Sequence, residues 1–214
     1  MPTLSEAASK ALLATHGVPV PGERTAATVD GAVEAAEQIG YPVVLKLCGD
    51  RIAHKTERGL VRLQLADRAA VEIAAGELLG AAQPSDGDVE LLVAPMLRAN
   101  RELIAGVHRD PQFGPCVMVG IGGVLAEALG DVAFRLVPIT PTDAEEMIDD
   151  LAMRELLEPF RGEPAVDRGE LERILLGLSD AARSEPRIDS IDLNPLLVVD
   201  GRPIAVDALV ELVD

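Results

Sequence analysis

The chain has 214 residues, 48% of them apolar, and carries 36 acidic against 19 basic side chains for a net charge of −17. That is enough for one packed domain or two small ones, while the negative surface and an aromatic complement of one Tyr, three Phe and no Trp exclude a nucleic acid as partner. Met1–Glu6 has no basic region running into an apolar stretch, and the longest apolar run stops at Glu127, far short of the roughly 20 residues that span a bilayer, so a cytoplasmic protein with no membrane partner is expected.

Leu4, Ala8, Leu12 and Leu13 recur at helical spacing, which predicts a first helix over Leu4–His16 with Gly17 as its stop. Val18–Gly22 is a stiff connector, Arg24–Thr28 a short strand, and Asp30–Ile39 a helix ended by Gly40. The continuous β-branched run Val43–Leu47 predicts a buried strand. Residues 49–59 then form a polar loop leading to a strand over Leu60–Leu65, a helix over Ala66–Ala82 and a strand over Val89–Met96.

A second strand-rich stretch follows, with Glu102–His108, a turn at 110–115, Cys116–Val119, a glycine bend at 120–123 and Val132–Val137. Thr140 caps a helix reaching about Leu151, and Leu171, Ile174, Leu175 and Leu178 mark one face of a helix over Arg168–Ala182. The alternation Ile188–Leu196 predicts a strand, continued to Val199, and Asp200–Gly201 predicts a hairpin turn into Pro203–Asp207. Cys48 and Cys116 fall in strand-like runs and read as core residues. A composition shift near Pro95 is the one candidate boundary between two lobes.

Only three lysines accompany 16 arginines, a bias that fits either a high-salt protein or a GC-rich genome. Two of the three, Lys46 and Lys55, flank the segment that holds His54, so their placement is informative. A lysine closing a buried strand, as Lys46 does, either snorkels out of the core or meets an anion as a point charge. His54 alone is a weak signal, but Lys55, Arg58 and Gly59 beside it make a place where a phosphate can rest or be transferred.

Strand alternation sets Asp192 and Asn194 on one face, and the hairpin can bring Asp207 beside them. Such oxygen donors on adjacent strands suit Mg²⁺; the competing reading is a polar solvent face. Glu102, at the mouth of a strand, could hold ribose or metal. Gly120, Gly122 and Gly123 allow backbone to approach a ligand or simply make a turn. No G-x-x-x-x-G-K-[ST] or dinucleotide-type G-x-G-x-x-G is present.

In joint order, the segments 44–46, 52–59, 102–107, 109–115, Gly120–Gly123, 131–136 and 192–196 closely resemble the ATP-grasp (beta) part of ADP-forming acyl-CoA synthetases, the acetate–CoA ligase group related to succinyl-CoA synthetase. The resemblance implies an α+β ATP-grasp fold over residues 1–214, with ATP or ADP clamped between two lobes. Lobe one is about 18–95, and lobe two about 96–214 plus the N-terminal helix 1–17.

It further implies Lys46 on the nucleotide phosphates, with Lys55 and Gly59 close by, and Leu92, Val93 and Ala94 as the adenine hinge. Glu102 lies near ribose or metal, Asn194 and Asp207 are the Mg²⁺ ligands, and Gly122, Gly123 and Arg135 are candidate phosphate contacts. His54 matches a histidine that receives a phosphoryl group from a phosphohistidine on the CoA-binding subunit and passes it to ADP. The implied reaction is acyl-CoA + ADP + phosphate ⇌ carboxylic acid + CoA + ATP.

Relatives usually carry paired glycines where this chain has Gly59-Leu60, and often a polar side chain where it has Ala94. Nothing in the sequence resembles the CoA-binding domains, so a separate alpha subunit in a hetero-oligomer is the expected partner. Two alternatives stand beside this reading. One is an ATP-grasp carboxylate–amine ligase, which has no need of His54; the other is a nucleotide-binding regulatory subunit without turnover.

Overall fold

The structure, a computed structural model, describes residues 2–52, 55, 58–123, 130–160 and 162–213. It divides into a smaller unit, Pro2–Ala7 with Pro21–Leu97, and a larger one containing Ala8–Val20 and Arg98–Asp214. Helix α1, Glu6–Thr15, therefore begins among residues of the smaller unit, whereas the sequence assigned the whole N-terminal helix to the second lobe.

In the smaller unit, strands β1 (Arg24–Ala26), β2 (Val43–Cys48), β3 (Val61–Leu65) and β4 (Glu90–Pro95) form an antiparallel sheet in the order β1-β4-β2-β3. Helices α2 (Val29–Ile39) and α3 (Arg68–Gly80) pack on it. Both helices begin where a side chain can replace the missing backbone partner: Thr28 accepts from the Gly31 N–H at 3.1 Å, and Asp67 from the Ala70 N–H at 2.9 Å. With Thr28 as its cap, α2 starts at Val29, one residue before the predicted Asp30.

Alternation along β2 sends Val43, Leu45 and Leu47 into the core beneath the helices, where they join Ala32, Ala36, Val71, Leu78, Leu91 and Val93. Each buried aliphatic side chain of this kind contributes about 1.5–3 kcal/mol relative to exposure. By the same parity Val44, Lys46 and Cys48 occupy the opposite face of the sheet. Lys46 is consequently carried on a central strand whose other face is fixed by the core.

The larger unit is built on β5 (Glu102–Asp110), β6 (Gly114–Ile121), β7 (Val132–Leu136), β8 (Ile188–Val199), β9 (Arg202–Ala205) and β10 (Leu209–Leu212). The antiparallel order is β10-β8-β5-β6-β7, with β9 also on β8. What the sequence read as two pieces is one 12-residue strand, β8, and β10 was not foreseen. Helices α4 (Pro141–Asp149) and α5 (Arg168–Ser184) cover one face. Thr140 and Asp143 cap α4 reciprocally, and Leu171, Ile174, Leu175 and Leu178 of α5 are fully buried, as the spacing predicted.

Pairing separates the two faces of this sheet cleanly. The row Ile191–Val107–Val117–Arg135 runs across the helix-covered side, and the row Asp192–Gly106–Met118–Phe134 across the other. The turn after β8 has Asp200 at φ 49° and Gly201 at φ 84°, the paired positive values of a two-residue hairpin turn. Among the described residues no helix is long and apolar enough to cross a membrane.

Candidate functional site

In the smaller unit the two site lysines meet on one carboxylate. Glu6, the first residue of α1, lies 2.6 Å from the Lys46 ammonium through Oε1 and 2.9 Å from that of Lys55 through Oε2. Glu6 is 2% exposed and each lysine 9%. Lys46 reaches this point from the middle of β2, and Lys55 from the loop between β2 and β3, where its carbonyl accepts from the Leu60 N–H at 2.8 Å. The competing expectation for Lys46, a stem snorkelling to solvent, does not describe this buried ammonium.

His54 itself lies outside the described residues. Arg58, read as a phosphate neighbour from sequence, makes a two-pronged bond to buried Asp86, with both N···O distances 2.9 Å. Hydrogen bonds from Arg58 and from the Gln83 backbone hold the Asp86 carboxyl below the usual carboxylate range. Arg58 is thereby an anchor for its loop. Gly59, at φ 66°, provides the left-handed turn into Leu60, and its carbonyl accepts from Arg62 at 2.7 Å.

The hinge expectation is corrected by β4. Leu92 and Val93 are paired with β1 on one side and β2 on the other, so their backbone groups are held by the ladder and not open to a base. Ala94 is paired with Val44 and only 7% exposed. Parity turns Val93 into the helical core, whereas Leu92 and Ala94 lie on the Lys46 face. The sequence saw an apolar run before a proline but could not see that the strand is an interior one.

In the larger unit Asn194 and Asp207 face each other by register. Leu196 pairs with Ala205 and Asp192 with Leu209, which sets Asp207 across from Asn194; the Val206 N–H bonds the Pro195 carbonyl at 3.3 Å. On its other side β8 has two residues, Asn194 and Pro195, between the pairs Ala105–Leu193 and Leu103–Leu196, where β5 has one, Ile104. This bulge lies at Asn194-Pro195; alternation along β8 leaves Asn194 exposed, like Asp192, beside buried Leu193, and the bulge returns Leu196 to the buried side.

A carboxylate and an amide oxygen on neighbouring strands are hard oxygen donors that fit Mg²⁺, which takes one or two protein ligands and completes its shell with water and phosphate. Among the described residues there is no group of three or more His, Cys, Asp or Glu suited to a metal, so a dedicated all-protein cage is not part of this fit.

Glu102 opens β5 and is held by its neighbours. Its carbonyl accepts from the Gly122 N–H at 2.8 Å, and a Cβ at Gly122 would stand 3.0 Å from the Glu102 carbonyl carbon. Gly123, at φ 89°, lies against the Glu102 carboxylate. These glycines have a packing reason that the sequence could not distinguish from a phosphate contact. Glu102 and Gly122 also border a cavity of about 340 Å³, with Arg101, Leu156 and Glu163 on its wall.

Arg135 is not part of this arrangement. It lies on the helix-covered face and binds Asp150 at 2.8 Å and Glu146 at 3.6 Å. That parity is opposite to that of Asp192, which removes Arg135 from the candidate phosphate contacts. Cys116 is half-buried on the open face, not core like Cys48, and desolvation pushes its thiol upward.

The residue that sequence reasoning missed is Glu6. An acidic residue in the first turn of a helix already has a sufficient local explanation. All three lysines, Lys10, Lys46 and Lys55, are buried, and a buried ammonium needs an anion or acceptor close by, but nothing in the sequence singles out Glu6 as that partner.

Comparison with known proteins gives a match to a family model described as ATP-grasp domain over residues 2–212. The beta subunit of ADP-forming acetate–CoA ligase I from Pyrococcus furiosus is 38% identical over 208 residues, covering 96% of this chain and 90% of that relative. A solved structure of the dinucleotide forming acetyl-coenzyme A synthetase 1 of Ca. Korarchaeum cryptofilum, in complex with coenzyme A and Ca-AMPCP, superposes with a TM-score of 0.90. It is 34% identical and the match covers 99% of this chain and 94% of that one. The same synthetase has been solved with coenzyme A and Mg-AMPPCP, its phosphohistidine segment pointing towards the nucleotide binding site, and matches at a TM-score of 0.82 and 34% identity over 97% of this chain and 92% of that one.

Proposed function

Because the chain belongs to the ATP-grasp domain family, we propose that it is the nucleotide-binding beta subunit of an ADP-forming acyl-CoA ligase, catalysing acyl-CoA + ADP + phosphate ⇌ carboxylic acid + CoA + ATP with a CoA-binding alpha subunit. The observation that carries this reading is the end-to-end likeness to a beta subunit, 96% of this chain against 90% of the relative. On this reading the chain works in a cytoplasmic hetero-oligomer.

Lys46 and Lys55 bind the phosphates of ADP, where two fixed ammonium groups lower the repulsion between an anionic donor and an anionic acceptor. Gly59 gives the loop its turn. Glu102, beside Gly122 and Gly123, hydrogen-bonds the ribose hydroxyls. Asn194 and Asp207 would hold Mg²⁺, which when bound supplies further neutralisation of phosphate charge.

A His54 ring nitrogen takes the phosphoryl group from the alpha subunit's phosphohistidine, forming an N–P bond as the donor imidazole leaves. A terminal phosphate oxygen of ADP then attacks that phosphorus and releases neutral-nitrogen His54, giving ATP. Positioning, not covalent assistance by further side chains, is what this exchange needs.

The test is to combine the chain with its alpha partner, acetyl-CoA, phosphate and Mg-ADP. ATP should form, His54→Ala should abolish it, and acid-labile phosphate should be found on the wild-type chain but not on the variant. No ATP from any short acyl-CoA would sink the reading. Full activity in His54→Ala would instead favour a ligase working through an acyl phosphate, and Mg-ADP binding with no turnover and no acid-labile phosphate a regulatory subunit.

A further inference from the structure

We propose that Glu6 is a positioning residue for phosphate recognition: its carboxylate gathers the ammonium groups of Lys46 and Lys55 and fixes Lys55, in the loop between β2 and β3, to the strand that carries Lys46. The inference deepens the nucleotide reading and rests on it.

Glu6 divides its two oxygens between the lysines, Oε1 to Lys46 at 2.6 Å and Oε2 to Lys55 at 2.9 Å. Two ammonium groups brought this close repel each other, and an anion between them is what lets both remain charged neighbours. Lys46 comes from a strand with its far side locked in the core, so it is the fixed end of the arrangement. Lys55 comes from a loop, and its ion pair with Glu6 ties that loop to the strand.

The segment before Glu6 is itself clipped to the start of the same loop. Thr3 Oγ1 donates to the Asp50 carbonyl at 2.7 Å, and the Ser5 N–H donates to the Asp50 side chain at 3.0 Å. Residues 3–6 thus hold the loop at Asp50 and again at Lys55, immediately after His54. The helix N-terminus adds partial positive charge, which favours Glu6 as a carboxylate.

Glu6 cannot bind phosphate directly, because an anion does not attract an anion. Its influence passes through the lysines, which distinguishes it from a ligand-contacting group. Glutamine retains the shape but turns one oxygen into an NH₂, which would point a donor at an ammonium. One of the two contacts must then open.

Calorimetry on the full chain separates this role from a structural one. Mg-ADP and adenosine share base and ribose, but only the first has phosphates. Glu6→Gln should lower affinity for Mg-ADP about tenfold, which corresponds to ~1.4 kcal/mol, and leave adenosine affinity unchanged. Glu6→Asp, which keeps the charge on a shorter stem, should fall between the wild type and Glu6→Gln, and it supplies the measurement if Glu6→Gln does not fold.

Equal or tighter Mg-ADP binding by both variants would overturn the inference, as it would mean that the carboxylate is idle or competes with phosphate. Parallel loss of Mg-ADP and adenosine would also overturn it, in favour of a merely structural role. A wild-type chain that binds neither ligand would overturn the nucleotide reading and this inference with it, whereas binding by the wild type makes a failure of the variants specific to Glu6.

Discussion

Gly106 and Gly76 should respond to alanine with opposite signs. An ideal Cβ at Gly106, in the middle of β5, would stand 2.2 Å from the Ile191 carbonyl oxygen of β8. The strands would have to part by roughly 1.2 Å before that contact reached the 3.4 Å at which ordinary van der Waals packing begins. Overpacking of a well-filled interior costs about 1–3 kcal/mol, and the β5–β8 ladder bonds stretched by the parting lose about 0.5–1.5 kcal/mol each. A loss of about 3 kcal/mol is expected for Gly106→Ala.

Gly76 lies in α3, and a Cβ there meets nothing within 4 Å. Gly76→Ala should stabilise by about 0.5–1 kcal/mol through helix propensity and the unfolded state. Urea denaturation followed by far-ultraviolet circular dichroism is the suitable assay, because the chain has no Trp and its one Tyr, Tyr41, reports only on the smaller unit. With an m-value of about 1–3 kcal/mol/M, the Gly106→Ala midpoint should fall by about 1–3 M and the Gly76→Ala midpoint rise slightly. A Gly106→Ala midpoint within a few tenths of a molar of wild type would refute the close approach of β5 and β8.

Asn194→Ala and Asp207→Ala should each weaken ADP binding about tenfold in the presence of Mg²⁺ and change little in its absence, as read by calorimetry with and without EDTA; equal effects in both conditions would remove the metal assignment. Asp86 has its carboxyl depressed first by the Arg58 hydrogen bond and then by the Gln83 N–H. A depressed folded-state value stabilises the fold above the unfolded value of about 3.9 and is lost as pH falls through the folded one. Asp86→Asn should therefore lower the thermal midpoint at pH 7, with the gap to wild type closing below about pH 4; a gap independent of pH would refute the charge-based account.

What the sequence made legible follows from locality. Period and capping residues lie next to the elements they define, so α1, β2 and α5 were placed to within a few residues. Lys46 was identifiable because a lone cation in an apolar run is conspicuous, although the strand continues past it to Cys48. Glu6 was not, because its partners lie far along the chain and its local setting already explained it. Leu92 and Val93 as hinge residues failed for a related reason: whether that stretch is interior depends on β1, which reaches β4 from the N-terminal side of the unit.

Parity explains the remaining contrast between Arg135 and Asp207. Arg135 was nominated by motif, but one step of strand parity turns it to the helices, and no local pattern in Val132–Leu136 announces which face is covered. Asp207 was nominated by a hairpin, and a two-residue turn leaves no freedom of register. Val199 pairs with Arg202 and Val198 with Pro203, so Asn194 must meet Asp207 unless a residue is inserted between them. None is, since β10 resumes with Asp192 opposite Leu209 in the same count. The bulge at Asn194-Pro195 belongs to the other edge of β8, against β5. One edge of the strand therefore fixes the pair, while plain alternation with buried Leu193 keeps Asn194 exposed, which is how a polar residue can be offered to a cation in a strand whose alternate side chains are core.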